Sequence, residues 1–231
     1  MYLPNHEGIP SPFVPNRFEL HRADPDVILL QNTLNDVFYK FCRKGQVAET
    51  NVAVIAGLDD RVDAIPKKSS SKTKAYRDAH YRLRRILKWC DRFIVSTQPL
   101  AEAYNDLCND IVVIPNRLEY ARWGELTSQY NQGDKPRVGW AGAQQHFGDL
   151  EVIIDVVKEA AQEIDWIFLG YCPDELTPYV KEVHSYVVYG EYPEKLASLN
   201  LDLAVAPLED NLFNRAKSNL RILEYGILGW P

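Results

Sequence analysis

The sequence predicts an α/β protein built on parallel sheets, arranged as two successive halves. Three observations carry this. Short, nearly continuous apolar runs of strand length recur: Asp26–Gln31 (DVILLQ), Asn51–Leu58 (NVAVIAGL), Arg92–Ser96 (RFIVS) and Asp110–Ile114 (DIVVI). Segments with apolar residues at helical spacing separate them. A polar stretch at 118–135 then interrupts the series, and it restarts with Arg137–Ala141 (RVGWA), Asp165–Gly170 (DWIFLG) and Leu201–Ala206 (LDLAVA). Strands without polar alternation are buried on both faces, which requires helices above and below a parallel sheet. Two Rossmann-like domains are therefore expected, with ligands at the carboxyl ends of the strands and a cleft between the domains.

The elements follow in order. Residues 1–25 are rich in Pro, Asn and charge and read as irregular. A helix is expected after the first strand, with Leu34, Val37, Phe38 and Phe41 at helical spacing. The KKSSSKTK stretch, Lys67–Lys74, has nothing apolar to pack and reads as a loop. Ala75–Cys90 is expected to be a helix with Tyr76, Ala79, Leu83, Ile86, Leu87 and Cys90 on one face. Thr97 is placed to cap the next helix, with Pro99 in its first turn. In the second half, helices are expected over 150–162, around 196–199 and over 217–228, and a short strand over Tyr186–Tyr189. The domains run 1–117 and 136–231, with 118–135 as linker.

Composition bounds the function. The chain has 231 residues, 46% hydrophobic and 25% charged, enough for a sizeable core. Its apolar runs are too short to span a bilayer, and no basic-then-apolar leader is seen at the start. The four cysteines, Cys42, Cys90, Cys108 and Cys172, form no CxxC, and no HExxH occurs, so no metal is expected. A cytoplasmic location with free thiols follows. The net charge of −6 argues against nucleic acid as partner. Ten Lys/Arg residues nevertheless fall between Lys67 and Arg92, against Asp78 and Asp91. The plain reading is a solvated helix and loop; the sharper one is peripheral contact with an anionic membrane surface.

Three places could carry chemistry. Gly142 and Ala143 follow the RVGWA strand, and the turn continues through Gln144, His146, Gly148 and Asp149. A glycine there lets a backbone approach a ligand, and a following helix start suits a diphosphate. The ordinary reading is a strand-to-helix turn with Asp149 starting the helix. Lys217, Ser218 and Asn219 open the last predicted helix, where a lysine and backbone N–H groups can meet a phosphate. Glu224 lies two turns on and could accept hydrogen bonds from a ribose diol; the alternative is a solvated face with an Arg221–Glu224 ion pair. Asp59 and Asp60 close the second strand and could supply a base or orient a hydroxyl, or merely cap a turn.

RVGWAGAQQHFGDL, DWIFLG and LDLAVAPLEDNLFNRAKSNLRILEYGILGWP together resemble bacterial glycosyltransferases of the GT-B fold, specifically the family 4-like proteins of O-antigen and cell-surface polysaccharide synthesis. NVAVIAGLDDRVDAIP, CDRFIVSTQPLAEAY and IVVIPN agree in the same order. The resemblance implies transfer of a sugar from a nucleotide-diphosphate sugar to the hydroxyl of a glycan, a lipid-linked or another acceptor. It implies no metal, the departing phosphate being held by helix dipole and basic side chains. On that basis Gly142 and Ala143 face the phosphates, Lys217 and Ser218 contact the diphosphate, and Glu224 binds the ribose. Asp59 and Asp60 lie on the acceptor side, and His146 touches donor or acceptor.

There are departures from the family. Its Glu-x7-Glu pattern would put a first glutamate where Ala216 stands. No glycine-rich first strand is found, and the sequence stops at Gly229-Trp230-Pro231 where members continue, so a GT-B fold truncated at both ends is expected. The alternative function is a non-catalytic nucleotide-sugar or glycan-binding protein, or one part of a split glycosyltransferase.

Overall fold

The computed structural model describes residues 25–31, 34, 39, 51–66, 78–130 and 133–231. The irregular segment at 1–24, most of the helix expected after the first strand, and the Lys67–Lys74 loop lie outside them. The chain divides into two compact units. Of the described residues, 25–63 and 78–115 fall in the first, and 64–66 and 116–231 in the second.

The first unit carries a four-stranded parallel sheet: β1 (Val27–Gln31), β2 (Ala53–Leu58), β3 (Arg92–Val95) and β4 (Ile111–Val113). Its strands lie in chain order, β1-β2-β3-β4. Helix α1 (Ala79–Leu87) buries Ala79, Leu83, Ile86 and Leu87, the 3.6-residue stripe read from the sequence. Thr97 caps α2 (Gln98–Ala103): its hydroxyl accepts from the Leu100 N–H at 3.3 Å, and Pro99 sits in the first turn.

The basic residues described in this unit are largely engaged. Arg84 pairs with Asp106, and Arg92 with Asp110 at 2.9 Å. Arg85 lies over the Tyr39 ring at 3.8 Å.

The second unit carries β5 (Arg137–Gly142), β6 (Asp165–Gly170), β7 (Glu182–His184) and β8 (Leu203–Ala204), all parallel, in the order β7-β6-β5-β8. Alternate residues of β5 and β6 feed two cores. Val138, Trp140, Trp166 and Phe168 pack with Leu150, Val157 and Leu176. Ala141, Ile167 and Leu169 pack with Leu196 of α6 (Tyr192–Ala197), Leu199, Tyr225 and Trp230. Trp123 of α3 (Tyr120–Trp123) is buried in the second cluster, with Leu118 and Leu126 against it. Each such fully buried large side chain is worth about 1.5–3 kcal/mol.

The strand expected at Tyr186–Tyr189 is not one. Pairing with β6 is made earlier, by the charged Glu182–His184. The apolar YVVY run is instead exposed: Tyr186, Val188 and Tyr189 are 58%, 66% and 71% accessible. The pairing strand is fixed by an anchor, not by apolarity: the Arg137 guanidinium bonds both Glu182 oxygens, at 2.6 and 3.1 Å. The helix expected over 150–162 begins earlier and is segmented. A 3-10 turn at Gln144–His146, α4 (Phe147–Leu150), a second 3-10 turn at Glu151–Ile153 and α5 (Ile154–Ala160) follow one another.

Candidate functional site

The two sheets differ in one respect that locates a site. In the first, sequential order means every described connection runs the same way. In the second, β5 pairs β6 on one side and β8 on the other, so the strand order reverses between β5 and β8. Connections then leave in opposite directions, opening a crevice beyond the strand ends where α/β proteins take ligands. β8 pairs β5 only through Val138 and Gly139, so the last residues of β5 face that crevice without a neighbouring strand.

Tyr225 of α7 (Leu220–Ile227) fills part of the gap: its hydroxyl accepts the Ala141 N–H at 3.3 Å. Arg221, one turn earlier, lies 5.9 Å over the Trp140 ring. The start of α7 and the end of β5 are therefore neighbours.

Gly142 closes β5, and Ala143 follows in an extended conformation. A Cβ on Gly142 would come within 2.5 Å of the Trp140 ring. The adjacent Gly170, at the end of β6, has φ +100°, and a Cβ there would meet the Gly142 carbonyl at 2.4 Å. Glycine at both strand ends is thus required by geometry, and Gly170 escaped the sequence reading although a glycine ending an apolar run was its signal. The Tyr186 hydroxyl accepts the Gln144 N–H at 3.0 Å, holding the turn open on the β6 side.

Asp149 is not merely a helix-starting residue. It is 6% exposed and accepts three hydrogen bonds. His146 Nδ1 lies 2.9 Å from Oδ2, while the Glu209 N–H and Asn214 Nδ2 donate to Oδ1 at 3.0 and 2.6 Å. Asn214 Nδ2 also bonds the Glu209 carbonyl at 2.9 Å. The cluster ties the turn after β5 to the loop after β8, across the reversal point. Burial pushes the Asp149 carboxyl up, but the bonds from His146, Glu209 and Asn214 outweigh it, and its pKa lies below the ordinary value. Neither Asp149 nor Asn214 could be read as a pair from sequence, being 65 residues apart.

Lys217, Ser218 and Asn219 stand before α7 rather than within it, so the expected helix over 217–228 begins three residues late. The 3-10 turn Asn214–Ala216 uses the Lys217 N–H and leaves Lys217 extended, at φ −67° and ψ 151°. Lys217 therefore does not share a helix face with Arg221. Its ammonium lies 4.8 Å over the Phe213 ring. The Ser218 hydroxyl accepts from Asn116 Nδ2 at 2.8 Å, and Asn219 is the N-cap.

Glu224 is half-buried within α7, and Tyr192 donates to it at 3.1 Å. Burial holds its carboxyl above the ordinary range, opposed by the Tyr192 bond and the Arg221 charge. An ion pair with Arg221 on a solvated face is not what is found; Tyr192, not singled out in the sequence, is the partner.

Asp59 and Asp60 follow β2 in the first unit. Asp59 accepts from Gln31 Nε2 at 3.0 Å, and its carbonyl accepts from the buried Ser96 hydroxyl at 3.3 Å. Desolvation, then the neighbouring Asp60 charge, raise the Asp59 carboxyl. Among the described residues no group of three His, Cys, Asp or Glu side chains gathers as metal ligands would, and no helix is long and apolar enough to cross a membrane.

No protein-family model matches the sequence, and no curated protein matches it either. Solved structures do match in shape. Sucrose-phosphate synthase from Thermosynechococcus elongatus superposes with a TM-score of 0.60 at 15% identity, over 93% of this chain and 57% of that one. Anabaena HepE in complex with UDP gives 0.59 at 14%, over 93% and 60%. The S. aureus TarM G117R mutant, in complex with fondaparinux, alpha-GlcNAc-glycerol and UDP, gives 0.56 at 12%, over 93% and 43%. The fold is that of the GT-B glycosyltransferases. The chain spans about half the length of these structures.

Proposed function

We propose that this GT-B chain binds a nucleotide-diphosphate sugar at the β5/β8 reversal point and serves sugar transfer to an acceptor hydroxyl, as a family 4-like enzyme of cell-surface polysaccharide synthesis. One observation supports the reading: β5/β8 is the single strand-order reversal among the described residues, Gly142 and Ala143 follow there, and α7 meets the same strand through Tyr225 on Ala141 and Arg221 over Trp140. Diphosphate would lie against Gly142, Ala143, Lys217 and the N–H groups of Ser218 and Asn219, and ribose against Glu224. Two of the similar structures hold UDP. No metal enters this reading.

Asp59 and Asp60 would act on the acceptor, a glycan or lipid-linked hydroxyl, as base or orienting group. Residues 67–92 would meet an anionic membrane at the cytoplasmic face; flotation with phosphatidylserine vesicles tests that, and no co-flotation removes it.

Calorimetric titration with UDP, GDP, ADP, CDP and dTDP tests the donor site. One of these is expected to bind wild type, and Lys217→Ala to weaken it about tenfold or more, the loss of a charge-assisted contact. Equal affinity in Lys217→Ala and Glu224→Ala would place the nucleotide elsewhere.

A second reading is favoured by the first sheet. Its described strands contain no reversal point, so that unit offers no crevice of this kind. On that reading the chain holds the donor without turnover, or is one part of a split transferase. Nucleotide binding without sugar release in the presence of acceptor would select it.

A further inference from the structure

The His146–Asp149–Asn214 cluster has a chemical consequence that rests on the donor-site reading above. Asp149 is held ionised by its three donors, and an ionised carboxylate only accepts. The 2.9 Å contact at Oδ2 therefore requires a proton on His146 Nδ1. In the neutral ring that leaves Nε2 as a lone pair, and among the described residues nothing bonds it. Asn214 and the Glu209 N–H occupy Oδ1, so Asp149 cannot turn away from the imidazole.

Charge balance decides what this arrangement does. From Val138 to Val157 the sequence contains no lysine or arginine, and His146 is the one side chain there that can become a cation. The groups tied to this turn are Asp149, Asn214 and the Glu209 N–H from the loop after β8, and the Tyr186 hydroxyl through the Gln144 N–H; the cations near the same crevice, Lys217 of the proposed diphosphate site and Arg221 of α7, come from other elements. Beside Lys217, a diphosphate at this turn also meets the buried Asp149 charge. A proton taken by Nε2 cancels that charge and turns a lone pair, which repels phosphate, into a donor that bonds it.

We infer that Asp149 is a positioning residue: it orients His146 through Nδ1 and lets the imidazole take up a proton at Nε2 when a nucleoside diphosphate binds. The proton comes from solvent: the N–H bond formed at Nε2 is matched by the bond broken in hydronium or buffer acid, and no bond between heavy atoms changes. His146 then donates to a phosphate oxygen, the group that leaves when a sugar is transferred, while Asp149 stabilises the imidazolium without itself being protonated.

The test is calorimetry of UDP and of inorganic pyrophosphate in buffers of different ionisation enthalpy, with the imidazole ¹⁵N spectrum of the ligand-free protein. At about pH 7.5, above the second phosphate ionisation of the ligand, wild type is expected to take up about half a proton or more per UDP. Its free His146 should carry the proton on Nδ1. Asp149→Asn presents an amide N–H to Nδ1, so the proton should move to Nε2, the uptake vanish, and UDP bind about tenfold more weakly. His146→Gln, which keeps a donor but cannot take a proton, should bind without uptake, and it stands in should Asp149→Asn fail to fold. UDP binding to wild type with no proton uptake overturns the inference and leaves the donor site intact. An Nε2–H tautomer in free wild type does the same. Failure of wild type to bind pyrophosphate or any of UDP, GDP, ADP, CDP and dTDP removes the donor site and this inference together.

Discussion

At Gly170 the backbone adopts φ +100° directly beside the Gly142 carbonyl. Gly170→Ala adds strain in a region closed to L side chains and a clash against backbone that cannot yield, so it should cost about 2–4 kcal/mol in urea denaturation. Glu224 makes the opposite case. Its raised pKa means that the ionised form is disfavoured in the folded state relative to the unfolded chain, so at neutral pH this carboxylate costs stability. Glu224→Gln keeps an acceptor for the Tyr192 hydroxyl and removes the charge. It should raise the melting temperature while weakening nucleotide binding, the pattern of a residue kept for function. A melting temperature unchanged or lowered would mean that Glu224 is a stabilising partner of Arg221 and Tyr192 instead.

Among the elements, β5 depends on partners from outside its sheet. Its open edge at Ala141 is closed by the Tyr225 hydroxyl, so Tyr225→Phe should cost about 1–3 kcal/mol by leaving a buried N–H unpaired. At its other end, Arg137 fixes the edge strand β7 through Glu182. The bond from Arg137, opposed by burial and helped by His184, lowers the Glu182 carboxyl to about 2 from 4.5. A depressed folded pKa gives stability that is present above the unfolded value and lost as pH falls through the folded one. The denaturation midpoint should therefore fall between pH 4.5 and about 2, with a shallower slope in Glu182→Gln. The same pair shows what sequence left hidden. β5 and β6 were legible because both their faces are buried and their runs are apolar throughout. β7 was not, because an edge strand pinned by one ion pair needs no apolar run, and the YVVY segment beside it drew the reading away. The late start of α7 was hidden for a similar reason: Asn214 is held by Asp149, across 65 residues, and its turn consumes the Lys217 N–H.

For the molecule as a whole, the alternation of strands and helices was enough to foresee two parallel α/β units, because burial on both sheet faces leaves a periodicity in the chain. Strand order leaves none. That the first sheet is sequential and the second reversed emerges only from the structure, and it is this difference on which the proposed ligand crevice in the second unit rests. The candidate site was legible in part, through glycine, lysine and glutamate types carried by a resemblance. Its supporting contacts, Tyr192 on Glu224 and Asn214 on Asp149, are long-range and carry no local signature.

The most direct measurement is an amide chemical-shift map of the full chain titrated with the nucleoside diphosphate that binds in the calorimetric panel. The account predicts that the largest shifts fall at Gly142, Ala143 and Gln144 and at Ser218, Asn219 and Leu220, with residues 51–63 and 92–113 little changed. Shifts centred on those first-unit residues, or none at the ends of β5 and the start of α7, would contradict it.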